Sequence, residues 1–212
     1  MNGTVPCSCT SHPSPCPRVA ITGGPGAGKT AALEVVRREL CQHVAVLPEA
    51  ATVLFRGGFP RGASSIERRA AQRAIYYVQR ELERQALELG RSSVVLCDRG
   101  TLDGVAYWPG DGDAFLAEVG TTRERELAAY DVVIHLRTPG AHHGYNHTNH
   151  VRTESADEAR ALDELILAVW AAHPRRFVIE ASATFTDKLA RTLAIIHDVV
   201  PACCRAREAR RA

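Results

Sequence analysis

The segment that most limits what this chain can fold into is Gly23-Gly24-Pro25-Gly26-Ala27-Gly28-Lys29-Thr30, which matches the phosphate-binding pattern G-x-x-x-x-G-K-[ST] at every fixed position. It follows an apolar strand signal, Val19-Ala20-Ile21-Thr22, and opens a helix-like run over 31–40. Strand, loop and helix in that order form the context such a loop needs. Glycines let the backbone take conformations closed to other residues and bring its N–H groups close to phosphate oxygens. The pattern therefore predicts a cradle in which Gly23, Gly24, Pro25, Gly26, Ala27 and Gly28 wrap a polyphosphate. Lys29 then sets a charge against the β- and γ-phosphates, Thr30 offers a hydroxyl to Mg²⁺, and the helix dipole adds positive potential behind them. A glycine-rich turn between strand and helix is the plainer alternative, and the complete match in the right context argues against it.

With 212 residues, 45% hydrophobic content and a formal net charge of +2, the chain can bury the core of one α/β domain. No apolar run approaches the roughly 18 residues of a spanning helix, and no basic-then-apolar signal opens the chain. The expected location is the cytoplasm, with no transmembrane segment. The cysteines at 7, 9, 16, 41, 97, 203 and 204 are odd in number and scattered, which favours thiols over bridges. Cys7, Cys9, His12 and Cys16 match no zinc spacing. The charge is too small to argue for nucleic acid, and none is expected as a partner. Arg205, Arg207, Arg210 and Arg211 form either a solvated tail or a weak contact for an anionic surface.

Residues 1–16, rich in Pro, Ser, Thr and Cys, read as a disordered leader. A domain is expected over 17–202 and an arginine-rich tail over 203–212. The apolar run over 44–47 suits a buried parallel strand, and those over 94–97, 132–136 and 177–179 read as further strands. Residues 51–65 read as a flexible basic segment. A long amphipathic helix is expected from Ile66 to Gly90, with Ile66, Ala70, Ile75, Val78, Leu82 and Leu89 on its apolar face. Shorter helical pieces follow around Trp108-Pro109-Gly110 and over 114–119 and 122–129. Ser155-Ala156-Asp157-Glu158 is a capping box, and the helix behind it carries Leu162, Leu165, Ile166, Val169 and Trp170. Leu189, Leu193, Ile196 and Val200 mark a last helix. Residues 137–154 read as a polar lid, in which the spacing of His142, His143, His147 and His150 fits no zinc template.

Strands alternating with helices mean a parallel sheet covered on both faces, with ligands at the carboxyl ends of its strands. That rim collects the phosphate loop, Glu49, Asp98-Arg99 and Arg137. Asp98, closing an apolar strand, has the form of a carboxylate that contacts Mg²⁺ through water or polarises an acceptor, although Asp also serves turns and caps. Arg99 is suited either to a substrate anion or to an ordinary ion pair. Glu49 is a candidate general base for a hydroxyl acceptor, or a surface Glu at a helix end. Arg137 and Arg152, with Arg160 behind them, are candidates to close over the transferring phosphoryl group. Gln72, Tyr76, Tyr77 and Gln79 on the long helix either read a ring or pack.

The loop at 19–30, Leu47-Pro48-Glu49-Ala50-Ala51, Cys97-Asp98-Arg99-Gly100-Thr101-Leu102-Asp103-Gly104-Val105-Ala106-Tyr107 and Val151-Arg152-Thr153-Glu154-Ser155 together resemble the NadR-type AAA-domain P-loop ATPases. That group takes in nicotinamide-riboside-kinase domains and the TRPL-translocation-defect proteins of insects, and the similarity covers roughly residues 18–200. It implies a three-layer α/β/α sandwich on a five-stranded parallel sheet of order 2-3-1-4-5. It also implies ATP or GTP with Mg²⁺, and a small-molecule acceptor near Glu49 and Asp98-Arg99. Only a short leader precedes the loop, so a bifunctional NAD-biosynthetic enzyme is not expected. Two functions are compatible with these residues. One is a phosphotransferase acting on a small, nucleoside-like hydroxyl acceptor; the other is a nucleotide-dependent switch that recognises an anionic lipid or a protein. A ring-forming motor would need a helical lid domain for which the chain has no room.

Overall fold

The computed structural model describes residues 15–139, 156–181 and 184–205. Strands β1 (Arg18–Thr22), β2 (Val44–Leu47), β3 (Val94–Asp98), β4 (Val132–Leu136) and β5 (Arg176–Ile179) form one sheet in the order β2-β3-β1-β4-β5. Every pairing is parallel, so each return to the same edge needs a crossover, and both faces of the sheet are covered. The covering helices are α1 (Lys29–Glu39), α2 (Ala50–Arg56), α3 (Ser65–Glu88), α4 (Asp103–Tyr107), α5 (Gly112–Glu118), α6 (Arg123–Ala128), α7 (Ala156–Val169) and α8 (Phe185–Val199). The expected three-layer sandwich and its strand order are those observed. Among the described residues no helix is long and apolar enough to cross a membrane.

Side-chain alternation along the central strands divides the core in two. Val19, Ile21, Leu96 and Ile134 point into one cluster, which α1 closes with Leu33 and Val36 and α8 with Ile196 and Val200. Ala20, Val95, Cys97 and Val133 point the other way, against Tyr76 of α3, Phe115 of α5, Ile166 of α7 and Trp170 just after it. Strands β1, β3 and β4 bury side chains on both faces, and their carboxyl ends carry the loops described below.

Four expectations need correction. Residues 50–56 are helical (α2), not a flexible segment: Ala-Ala-Thr-Val-Leu-Phe-Arg is a compatible helical run, and only the Gly57-Gly58 pair stops it. The long helix buries Ala71, Tyr76, Gln79 and Glu83, whereas Ile66 is 79% and Leu89 55% exposed. Its start is fixed by a capping box between Ser64 and Glu67. Helix α7 buries Ala159, Asp163 and Ile166, with Trp170 buried just past its end, and leaves Leu165 exposed; a charged residue on the inward face misaligned the apolar stripe. The expected tail begins inside packed structure, because Ala202–Cys204 forms a 3₁₀ turn with Cys204 fully buried, and Arg205 Nε donates to the carbonyl of Val200. The expected leader lies outside the described residues except for its last two, of which Cys16 packs against the second cluster. Ser155 of the expected capping box, and Arg207, Arg210 and Arg211, also lie outside the described residues.

Candidate functional site

The carboxyl end of β1 runs straight into the loop at 23–28, which is pressed against β4 and α7. A Cβ on Gly24 would stand 2.4 Å from Thr138 Oγ1 and 2.8 Å from Asp163 Cβ, so no larger residue fits there. Gly28 caps α1 in the left-handed region (φ 93°) with no side chain to accept from the first turn, which also contains no acidic residue. The leading amides of α1 and its dipole therefore face the loop. Lys29 is buried, and its Nζ donates to the carbonyls of Gly23 (2.8 Å) and Gly24 (2.9 Å). Burial, and then the neighbouring Arg99 charge, lower its ammonium to about 8 against the opposing pull of Asp98, Glu49 and Asp103.

Asp163, fully buried on α7, clasps this loop. Its carboxylate accepts from the N–H of Gly24 (2.7 Å) and of Thr138 (3.2 Å), and it faces His135 Nε2 (3.0 Å) and Arg137 Nε (3.1 Å). Thr138 Oγ1 closes the other side by donating to the carbonyl of Pro25 (3.2 Å). Burial pushes the Asp163 carboxyl up, but His135 and the Gly24 and Thr138 amides outweigh it and hold it below the usual range. Lys188 of α8, also buried, donates to the Arg137 carbonyl at the same strand end.

At the end of β3, Thr30 Oγ1 donates to Asp98 Oδ2 (3.3 Å), while Asp98 Oδ1 is buried without a hydrogen-bond partner among the described residues. Burial raises the Asp98 carboxyl above its ordinary value. Arg99 follows with φ 81°, a left-handed conformation that costs a non-glycine residue of order 1–3 kcal/mol and tends to sit where geometry matters. Its guanidinium bridges Glu49 Oε1 (2.7 Å), Asp103 Oδ2 (3.2 Å) and the Gly23 carbonyl (3.3 Å), and lies over the Tyr107 ring. Glu49 precedes α2 but caps none of its amides; its other oxygen accepts from Thr52 Oγ1 at 2.5 Å. Burial works against ionisation of Glu49, yet Arg99 and Thr52 bring its carboxyl down to about 2.

Lys29, Thr30, Glu49, Asp98 and Arg99 thus share one rim. Arg137 lies on the far side of the loop, paired with Asp163 and Glu164 of α7. Arg160 makes a surface pair with Asp157, and Arg152 and the four histidines at 142–150 fall outside the described residues. Tyr76 donates to Glu126 and Gln79 to Glu83 inside the second core, so those two helix residues pack; Tyr77 is half exposed. Sequence reasoning missed Asp163 and Asp103. Buried Asp103 accepts from Thr22 (2.6 Å), Trp170 Nε1 (2.7 Å) and Arg99, tying the loop's strand to α7. The signal for Asp103 was its place four residues after Arg99, at the start of α4. For Asp163 it was the spacing Ala159, Asp163, Ile166, Trp170, a single helical face. A groove lined by Val105, Trp108, Arg123, Leu165 and Val169 lies between α4 and α7 and shares no residue with this rim.

A parallel sheet of this order with a glycine-rich loop after β1 and a carboxylate-arginine pair at the end of β3 defines a P-loop, kinase-like fold. A family profile described as an AAA domain matches residues 18–188, so the chain belongs to that AAA-domain family. Among solved structures, it is similar to a NadR protein in complex with NAD and AMP-PNP, at 13% identity and a TM-score of 0.61 over 86% of this chain. The chain spans about half (49%) of that protein. It is also similar to thymidylate kinase from Candida albicans, at 13% identity and a TM-score of 0.56, covering 86% of this chain and 91% of that one. No curated protein sequence matches it.

Proposed function

We propose that this protein transfers the γ-phosphate of ATP or GTP to the hydroxyl of a small, nucleoside-like acceptor with the help of Mg²⁺. The observation that carries the reading is that Lys29, held in its glycine loop, and the Glu49–Arg99 ion pair lie on the same rim. The NadR and thymidylate kinase neighbours, one solved with AMP-PNP and the other named for its kinase activity, support it through their fold. Thr30 and Asp98 suit a hydrated Mg²⁺, because the orphaned Asp98 Oδ1 is an oxygen acceptor without a protein donor. Bound there, the ion would neutralise charge on the phosphates.

This chain's own residues do the rest. The α1 amides and Lys29 hold the β- and γ-phosphates, and Lys29 exchanges its two carbonyl acceptors for phosphate oxygens. Glu49 anchors Arg99 and accepts from the acceptor hydroxyl. With its carboxyl near 2 it is a weak proton acceptor, and the loose transition state of phosphoryl transfer asks more for aim than for basicity. Arg99 stabilises charge on the transferring group from the acceptor side, and Arg137, with Arg152, from the lid side. A cytoplasmic location, where triphosphates and Mg²⁺ are supplied, goes with this reading.

Glu49→Gln tests it. The variant is expected to keep its affinity for nucleotide and to lose acceptor phosphorylation by about 100-fold or more, measured as turnover against a nucleoside and vitamin panel. A nucleotide-dependent switch would tolerate the change. A second expectation concerns pH. The free Lys29 ammonium titrates at about 8, and a bound triphosphate holds its proton more tightly, so the complex carries more protons than the free protein. Affinity should be level near pH 7 and fall up to tenfold per pH unit above about 8 in calorimetric titrations. A flat profile to pH 9.5 would count against contact between Lys29 and phosphate.

A further inference from the structure

The opposite end of the sheet holds a second cluster that the nucleotide site does not use. Cys41 follows the end of α1, His43 precedes β2, and Cys204 lies in the 3₁₀ turn after α8. Their ligand atoms all lie within 4.8 Å of one another, with Cys41 and Cys204 buried and His43 half-buried. We propose that these three residues bind a thiolate-seeking divalent metal ion, of which Zn²⁺ is the type, as a structural clip.

Three observations support the assignment. Zinc bonds of about 2.3 Å to sulfur and about 2.0 Å to nitrogen place tetrahedral sulfur and nitrogen ligands roughly 3.5 Å apart; Cys41 Sγ and His43 Nδ1 stand at 3.8 Å. The N–H of His43 already donates to Cys41 Sγ (3.4 Å), and the Ser93 hydroxyl lies 3.5 Å from Cys204 Sγ. Such donors favour the thiolate over the thiol, as outer-shell partners of a metal do. Ser93 also donates to the carbonyl of His43 through both its amide (2.7 Å) and its hydroxyl (3.0 Å), and the amide of Cys41 donates to the carbonyl of Cys204 (3.4 Å). All three ligand-bearing segments are therefore fixed by bonds that do not depend on an ion.

Two sulfurs and one imidazole leave a fourth position for water, on the side where His43 meets solvent. Binding releases the two thiol protons to solvent and leaves no other change in the ligands. The clip would fasten the C-terminal turn to the end of α1 and the sheet edge, closing a loop from Cys41 to Cys204. By helix rise it lies about 18 Å from Lys29, so the nucleotide site does not depend on it.

The test uses the full, reduced chain carrying Cys7→Ser and Cys9→Ser, so that leader thiols do not contribute, with Co²⁺ as a spectroscopic probe and Zn²⁺ as competitor. One equivalent of cobalt should give intense tetrahedral d–d bands with thiolate charge-transfer absorption, and zinc should bleach them. Cys204→Ser should abolish the charge-transfer band, and His43→Gln, at a half-exposed position, should weaken cobalt binding at least tenfold in a folded protein. The nucleotide-induced thermal shift should survive both changes, which separates this proposal from the phosphate-loop reading. Absence of cobalt bands, bands that persist in Cys204→Ser, or a Cys41–Cys204 disulfide in protein isolated without reductant would overturn it.

Discussion

Lys29→Ala is expected to abolish the stabilisation that MgATP gives the protein. A ligand at a hundred times its Kd stabilises the folded state by about 2.7 kcal/mol. For a domain of this size that raises Tm by roughly 5–10 °C. In the variant the shift should fall to about 1 °C or less. The unliganded variant should melt close to the wild type, because two opposing effects attend the lysine. Its Nζ satisfies the Gly23 and Gly24 carbonyls, but its burial disfavours the charged form, as the fall to about 8 indicates. A stable variant that loses only the ligand shift identifies Lys29 as a binding group. An undiminished shift would remove Lys29 from the site.

Asp163→Ala should be the most destabilising single change near the rim. It strips the acceptor from the buried amides of Gly24 and Thr138, leaves buried His135 without its carboxylate, and leaves Arg137 to Glu164. Removing one partner of a buried ion pair costs about 3–5 kcal/mol, which corresponds to a Tm lower by roughly 6–20 °C. Nucleotide affinity should fall with it, because Gly24 then loses the contact that sets the loop against α7. The pH dependence has a definite sign. The Asp163 carboxyl is held below its unfolded value, so its contribution is complete above about pH 4 and is lost as pH falls through the folded value. Wild type and variant should therefore differ fully at pH 6 to 7 and converge in acid. A gap that stays constant down to pH 2 would mean that the carboxylate's charge contributes nothing.

Strands β3 and β4 were readable because each is a short, nearly unbroken apolar run, as a strand buried on both faces must be, whereas edge strand β5 leaves Phe177 and Val178 exposed. The phosphate loop was readable because its chemistry is local. Asp98, Arg99 and Glu49 came from their positions just after strands, where the topology directs side chains to one rim. What the sequence hid is polar burial. Gln79 and Glu83 on α3 and Asp163 on α7 occupy inward faces, where apolar periodicity alone looks for Leu and Ile, so the predicted stripes were rotated. Their partners are far away in sequence: Glu83 meets Arg18 and Tyr130, and Asp163 meets Gly24, across 139 residues. Pairings over such separations leave no local pattern. The role of Glu49 shows the same limit, since its position was evident but its lowered carboxyl depends on Arg99 arriving from β3.

The most direct test is a crystal structure of the protein with AMP-PNP and Mg²⁺. The β- and γ-phosphates should lie within hydrogen-bond reach of the loop amides and the first turn of α1, with Lys29 Nζ moved from the Gly23 and Gly24 carbonyls onto phosphate oxygens. Phosphates bound elsewhere, or a bound nucleotide with Lys29 still on those carbonyls, would contradict the account.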